Sequence, residues 1–227
     1  MFKLKILLAI LPIIALFSSC LTGLHQLVTY DKVTADNRVV GTWQQDNSTM
    51  LKIESLATSD FAKSITGAKV EKEEINIGFS SREDSVLYSN SYLVQFTKKG
   101  YTYYMAASLM TLNGEIFADI LPAGVAPLMP PASKDINDLF SGIGYTPSHT
   151  IAKISIKENS LQVKFLNGDF IKNQLSKGVM AVKYENDPLF NTTLVTASSA
   201  ELERFITKYG NDERLYSAEN TITLKKI

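Results

Sequence analysis

Cysteine and histidine are almost missing from this chain of 227 residues, which has one cysteine, Cys20, and two histidines, His25 and His149. A single thiol excludes a disulfide framework, and two distant histidines do not supply the three or four ligands a metal site needs. An excess of either charge is also absent. Lys and Arg number 23, as do Asp and Glu, and no basic stripe or run interrupts the balance. Electrostatics therefore makes no case for nucleic acid or anionic headgroups as a partner. No G-x-S-x-G, phosphate loop or calcium loop occurs, and Gly142-Ile143-Gly144 stops short of a dinucleotide fingerprint. There is no internal repeat and no low-complexity stretch. These absences leave no cofactor, no metal and no catalytic residue to name, and the chain is read as non-enzymatic.

What is present begins at the N-terminus. Lys3 and Lys5 precede an apolar run over residues 6–17, broken by Pro12, and Ser18-Ser19-Cys20 follows. A basic start, an apolar centre and a small-residue exit are the parts of a secretory signal. The run falls short of the roughly 20 apolar residues a membrane span needs, although residues 6–24 stretch to that length. An ordinary cleaved signal and a transmembrane anchor are the alternatives. The small-small-Cys ending resembles the bacterial lipobox, with Phe17 where most such signals carry Leu. That resemblance implies cleavage before Cys20, a thioether-linked diacylglycerol on its sulfur and an acylated amine. It divides the chain into a signal (1–19), a tether (20–37) and a single mostly-β domain (38–227). Loss of Lys3 and Lys5 leaves a net charge of about −2, and several acyl chains on one residue make an effectively permanent anchor. The implied location is the bacterial envelope, the outer membrane before the inner.

Beyond the leader, apolar residues mostly alternate with period two, the mark of strands. Val39, Gly41, Trp43 and Gln45 share one side of a first strand; Leu51 and Ile53, then Ile75, Ile77 and Phe79, continue the pattern. Tyr92, Val94 and Phe96 lead to Lys98-Lys99-Gly100, and residues 101–112 form a strand of unusual length. Asn113-Gly114 predicts a type I′ hairpin, with residues 115–121 returning until Pro122. Five of the seven prolines fall at 122–147, where residues 135–140 have room for a helical turn. Strands resume at 152–156, 161–165, 179–184 and 192–196, with a short helix at 169–177. Ser198 and Glu201 form a capping box ahead of the stripe Leu202, Phe205, Ile206, Tyr209, with Gly210 as a left-handed stop. A last strand covers 221–225.

Strands, one late helix and a closing strand, with Gly41-Thr42-Trp43 on the first, resemble the lipocalins and the wider calycin group. The resemblance implies an antiparallel barrel or barrel-like sandwich of about nine strands in which Trp43 closes the base. His149-Thr150, residues 161–166 (LQVKFL) and 198–206 (SSAELERFI) also resemble a set of uncharacterised bacterial secreted proteins.

The candidate binding residues lie on the long strand. Tyr101, Tyr103 and Met105 share one face; Thr102, Tyr104 and Ala106 share the other. The first is greasier and suits core filling, whereas the second, with small and polar residues beside Tyr104, suits a pocket. The expected occupant is a small amphipathic molecule, with an envelope protein as the other partner. A structural component without a pocket, or a hydrolase with a dispersed site, are the competing readings. Asp119 is expected on an outward polar position beside Phe117 and Leu121. His149 is expected to be half-exposed and bonded to a loop. Glu71, Glu73, Glu74, Asp135 and Asp138, set among lysines, suit a solvated face, and Asp84-Ser85-Val86 resembles a glycosylation tripeptide of some exported proteins. The lipobox resemblance makes a direct prediction. Detergent partitioning and intact mass of the mature protein will show acyl chains on Cys20, and a Cys20→Ser protein that partitions identically would refute it.

Overall fold

Eight antiparallel strands hydrogen-bond in a closed ring in the computed structural model, which describes residues 21–59, 82–125, 148–187 and 192–227. In chain order the described strands are β1 (Thr22–Gly23), β2 (Gly41–Asp46), β3 (Thr49–Ser55), β4 (Tyr92–Lys98), β5 (Tyr101–Leu112) and β6 (Glu115–Val125). There follow β7 (His149–Lys157), β8 (Ser160–Leu166), β9 (Tyr184–Asp187), β10 (Thr192–Val195) and β11 (Tyr216–Lys226). The helices are α1 (Arg82–Ser89), α2 (Gly168–Ser176) and α3 (Ser199–Tyr209). The ring runs β2-β3-β4-β5-β6-β7-β8-β11 and back to β2, while β1, β10 and β9 extend the sheet from the start of β7. The fold is thus mainly β, as the strand pattern implied, and of the expected barrel or barrel-like sandwich of about nine strands it is a closed eight-stranded barrel with extra strands and a late helix before the final strand. The leader, Cys20, the strand at 75–79, Glu71, Glu73, Glu74, Asp135, Asp138, Gly142, Gly144 and the turn at 135–140 lie outside the described residues.

Alternation decides which side chains enter the barrel. Trp43, Leu51, Ile53, Val94, Ala107, Leu109, Ala118, Ala152, Ile154, Leu161, Val163 and Leu224 fill the interior. The Gly-x-Trp spacing has a packing cause. Gly41 has φ 136°, and a Cβ there would sit 2.8 Å from Lys226 Cε, whose ammonium lies 5.0 Å from the Trp43 ring centroid. The buried indole donates to Val39 O at 2.8 Å, so the 3₁₀ turn Asn37–Val39 closes this end, the base of the barrel. The hairpins at 46–49 and 98–101 mark the opposite end, the mouth.

A second apolar layer covers part of the barrel's outer wall. Met110, Phe117, Ile151 and Leu166, all outward from the barrel, pack with Ile171 and Leu175 of α2 and Leu202, Phe205 and Ile206 of α3. The predicted stripe of α3 therefore faces the sheet. Its start is held by Glu201, whose carboxylate accepts from both Ser198 N–H and Ser198 Oγ at 2.9 Å. These bonds and the Lys183 ammonium hold the carboxyl at a pKa of about 2. Gly210 corrects the sequence reading. It is right-handed at φ −60°, and it is glycine because a Cβ would meet Ile206 O at 2.6 Å and Phe117 Cζ at 2.8 Å. The helix end is pressed against the barrel.

Three further expectations change. The chain does not leave the sheet at Pro122. β6 continues to Val125 through a bulge, Met105 facing Pro122 and Tyr104 facing Gly124, and a bulge is where a strand tolerates proline. Residues 179–183 precede rather than form β9.

Residues 21–37 are not a tether. Leu21, Leu27 and Val28 are buried in the second layer, Leu24 N–H donates to Val195 O at 2.9 Å and Thr34 N–H to Leu109 O at 2.8 Å. Lys32 pairs with Glu203 of α3, and Asp36 N–H donates to the Tyr92 hydroxyl at 2.6 Å. The segment is a strap along the outside of the barrel.

Truncating a buried Phe costs about 3–5 kcal/mol, whereas loss of a cap costs about 1 kcal/mol. Urea unfolding should therefore rank Phe205→Ala well below Ser198→Ala in stability; the reverse order would mean that α3 does not carry the second layer.

Candidate functional site

The long strand β5 presents its two faces as alternation requires, and the structure assigns them. Met105 packs into the interior cluster, and Tyr103 stacks near Phe96 with ring centroids 6.4 Å apart. Tyr101, two residues nearer the mouth on that side, is 42 % exposed. Thr102, Tyr104 and Ala106 lie on the outside. Thr102 Oγ1 is 3.0 Å from Thr97 Oγ1 across the strand pair, and Tyr104 faces Gln95, which bonds to Glu54. The sequence expectation that Thr102 and Tyr104 line a barrel pocket is corrected: the inward residues are Tyr103 and Met105. Composition separated the two faces, but nothing in it said which one closes on the interior. The part-buried apolar residues Phe96, Met105 and Phe165 face the interior with Tyr103. A separate open groove of about 620 Å³ lies outside β3 and β4, lined by Lys52, Glu54, Ser55 and Gln95. It is polar, and Lys52 and Glu54 already pair across it at 2.8 Å.

A second constellation lies on the outer wall where β6, β7 and the strap meet. Asp119 shares a face with Phe117, as alternation required, but the second layer covers that face and the residue is 5 % exposed. Its expected solvent-facing position is corrected. The carboxylate Oδ2 accepts from Leu27 N–H and, at 3.3 Å, from Val28 N–H. Oδ1 lies 2.6 Å from His149 Nδ1. A carboxylate only accepts, so the imidazole donates through Nδ1, and in the neutral ring the lone pair is then at Nε2. His149 is 17 % exposed at the side chain, and its ring makes no other hydrogen bond among the described residues. It is thus anchored to a buried acid, not to a loop. An imidazole oriented by a carboxylate whose second oxygen is fixed by backbone amides is the geometry of a general base. Among the described residues no hydroxyl or thiol bonds to its Nε2, and no group of three His, Cys, Asp or Glu is placed to hold a metal. His25 is exposed.

Lys153 is a second charged residue on the outer wall. It points outward from β7 yet is buried, 3.4 Å from Glu115, 3.9 Å from Glu213 and 5.9 Å from the Tyr216 ring centroid. Lys164 binds Glu213 at 2.7 Å and holds its carboxyl below the ordinary range. Burial pushes the Tyr216 hydroxyl well above its usual pKa, and it donates to Gly210 O at 2.8 Å. This network fastens the end of α3 to the barrel wall. Ser85, on α1, is half-buried. No family model, curated protein or solved structure matches the chain, and no helix among the described residues is long and apolar enough to cross a membrane.

Asp119→Ala leaves the Leu27 and Val28 amides and the His149 ring without their acceptor, each unsatisfied buried donor costing about 1–3 kcal/mol, whereas His149→Ala removes a single bond to the carboxylate, worth about 1.5–3 kcal/mol. Asp119→Ala should therefore destabilise the protein more than His149→Ala in urea unfolding. Equal losses would show that the strap amides gain nothing from the carboxylate.

Proposed function

We propose that this chain is a lipid-anchored lipoprotein of a bacterial envelope whose barrel binds a small amphipathic molecule. The observation that carries the binding part is the lining of the barrel interior toward its mouth. Trp43 and the 3₁₀ turn close the base, while toward the mouth the interior keeps Phe96, Tyr103, Met105 and Phe165 only partly buried. Aromatic rings, a thioether and one phenol suit an apolar ligand with a polar end. The envelope location rests on Cys20 and its leader. An envelope protein docked at the mouth is the other occupant, and the calycin resemblance agrees with either.

The Asp119–His149 pair favours a second reading, acid–base chemistry in a secreted hydrolase, because the imidazole is already oriented with Nε2 outward from the carboxylate. Ester turnover that disappears in His149→Ala would favour it. On the binding reading, native mass spectrometry of the detergent-extracted protein against a lipid pool will show a bound amphiphile. Met105→Trp, which fills the mouth, should abolish the adduct, and Thr102→Ala, on the outer face, should leave it. No adduct, or an adduct that survives Met105→Trp and is lost in Thr102→Ala, would contradict the reading.

A further inference from the structure

The strap changes what an anchor at Cys20 does. As a flexible linker, residues 21–37 would separate their ends by roughly 23 Å on average and let the domain tumble above a membrane. Instead Leu21, the next residue, is already 8 % exposed within the second layer. Thr22 and Gly23 pair with Thr150 and His149 on one side and with Leu194 and Val195 on the other. Consecutive Cα atoms are about 3.8 Å apart, so an acylated Cys20 is separated from the packed body by a single virtual bond. No slack remains.

We propose that the domain sits directly on the bilayer in one orientation, with the β1–β10–β9 flank beside the mouth against the lipid and the base directed away. This rests on the reading of Cys20 as the acylated residue. Two distances set the orientation. Glu185 of β9 faces Leu194, which faces Thr22; two inter-strand spacings place it about 10 Å from the anchor strand. The β7–β8 hairpin stands at the far end of β7, whose first residue, His149, pairs with Gly23. Eight residue rises put that hairpin about 26 Å away along the strand. The occupant of the flank is lipid rather than a protein partner, because the chain between acyl group and fold has no length with which to hold the flank off the surface. The flank carries the acidic Glu185 and Asp187, so a zwitterionic surface is the matching one.

The same geometry brings the mouth toward the membrane. The hairpins at 46–49 and 98–101 and the first residue of β7 share that end of the barrel, so an amphiphile taken up there leaves the bilayer over a short path.

The test uses the acylated full chain, in which Cys20 has no free thiol, so an introduced cysteine is the only one. Glu185→Cys and Glu158→Cys proteins, each carrying a fluorophore on that thiol, are reconstituted in phosphatidylcholine vesicles containing a headgroup-linked quencher. Intact mass confirms the acyl chains in the same samples. The expected result is quenching at position 185 at least about twofold stronger than at 158, given separations of about 10 and 26 Å. Equal quenching in a protein of acylated mass overturns the fixed orientation while leaving the anchor standing. A protein without acyl mass overturns both.

Discussion

A buried carboxylate holds the strap over residues 21–37 in place on the barrel. Asp119 has little access to water, so its charge must be met by protein donors. Three donors come from two places: the Leu27 and Val28 amides of the strap, and the His149 ring at the start of β7. Each would be costly to bury alone. Brought together, they fix the middle of the strap against the barrel wall, where Leu27 and Val28 join Leu21 in the second apolar layer. The strap's later contacts, Thr34 with Leu109 and Asp36 with Tyr92, carry it along the barrel to the 3₁₀ turn at the base.

The barrel wall thus serves two cores. Its inner face packs around Trp43 and its outer face packs under α2 and α3, so outward on a strand does not mean solvated. Polar groups caught between the layers survive by pairing. Lys153 does so with Glu115, Glu213 and the Tyr216 ring, as Asp119 does with the strap. Close approach between layers also explains Gly210, where any side chain would collide with Phe117.

Much of the barrel was legible because its cues are local. Alternation located most strands, Asn113-Gly114 gave the hairpin now seen with φ values of 53° and 78°, and Ser198 with Glu201 gave the start of α3. What escaped were consequences of contact between distant segments. Period-two alternation distinguishes two faces but not whether a second layer covers the outer one, so Asp119 looked solvated and Thr102 and Tyr104 looked as able to face inward as Tyr103. Residues 21–37 lacked periodicity because their order comes from bonds to Asp119, Leu109, Tyr92 and Glu203. The pairing of Asp119 with His149, 30 positions apart, followed from the β6–β7 register, which neither strand discloses alone.

The central claim is that the segment after Cys20 is part of the folded body, held there by Asp119. Hydrogen exchange of the Leu27 and Val28 amides tests it most directly, because both donate to that carboxylate. The account predicts protection comparable to the paired barrel residues Ala118 and Ala152, and its loss in Asp119→Ala while the barrel stays protected. Exchange of Leu27 and Val28 in the native protein at the rate of an unstructured peptide would contradict it.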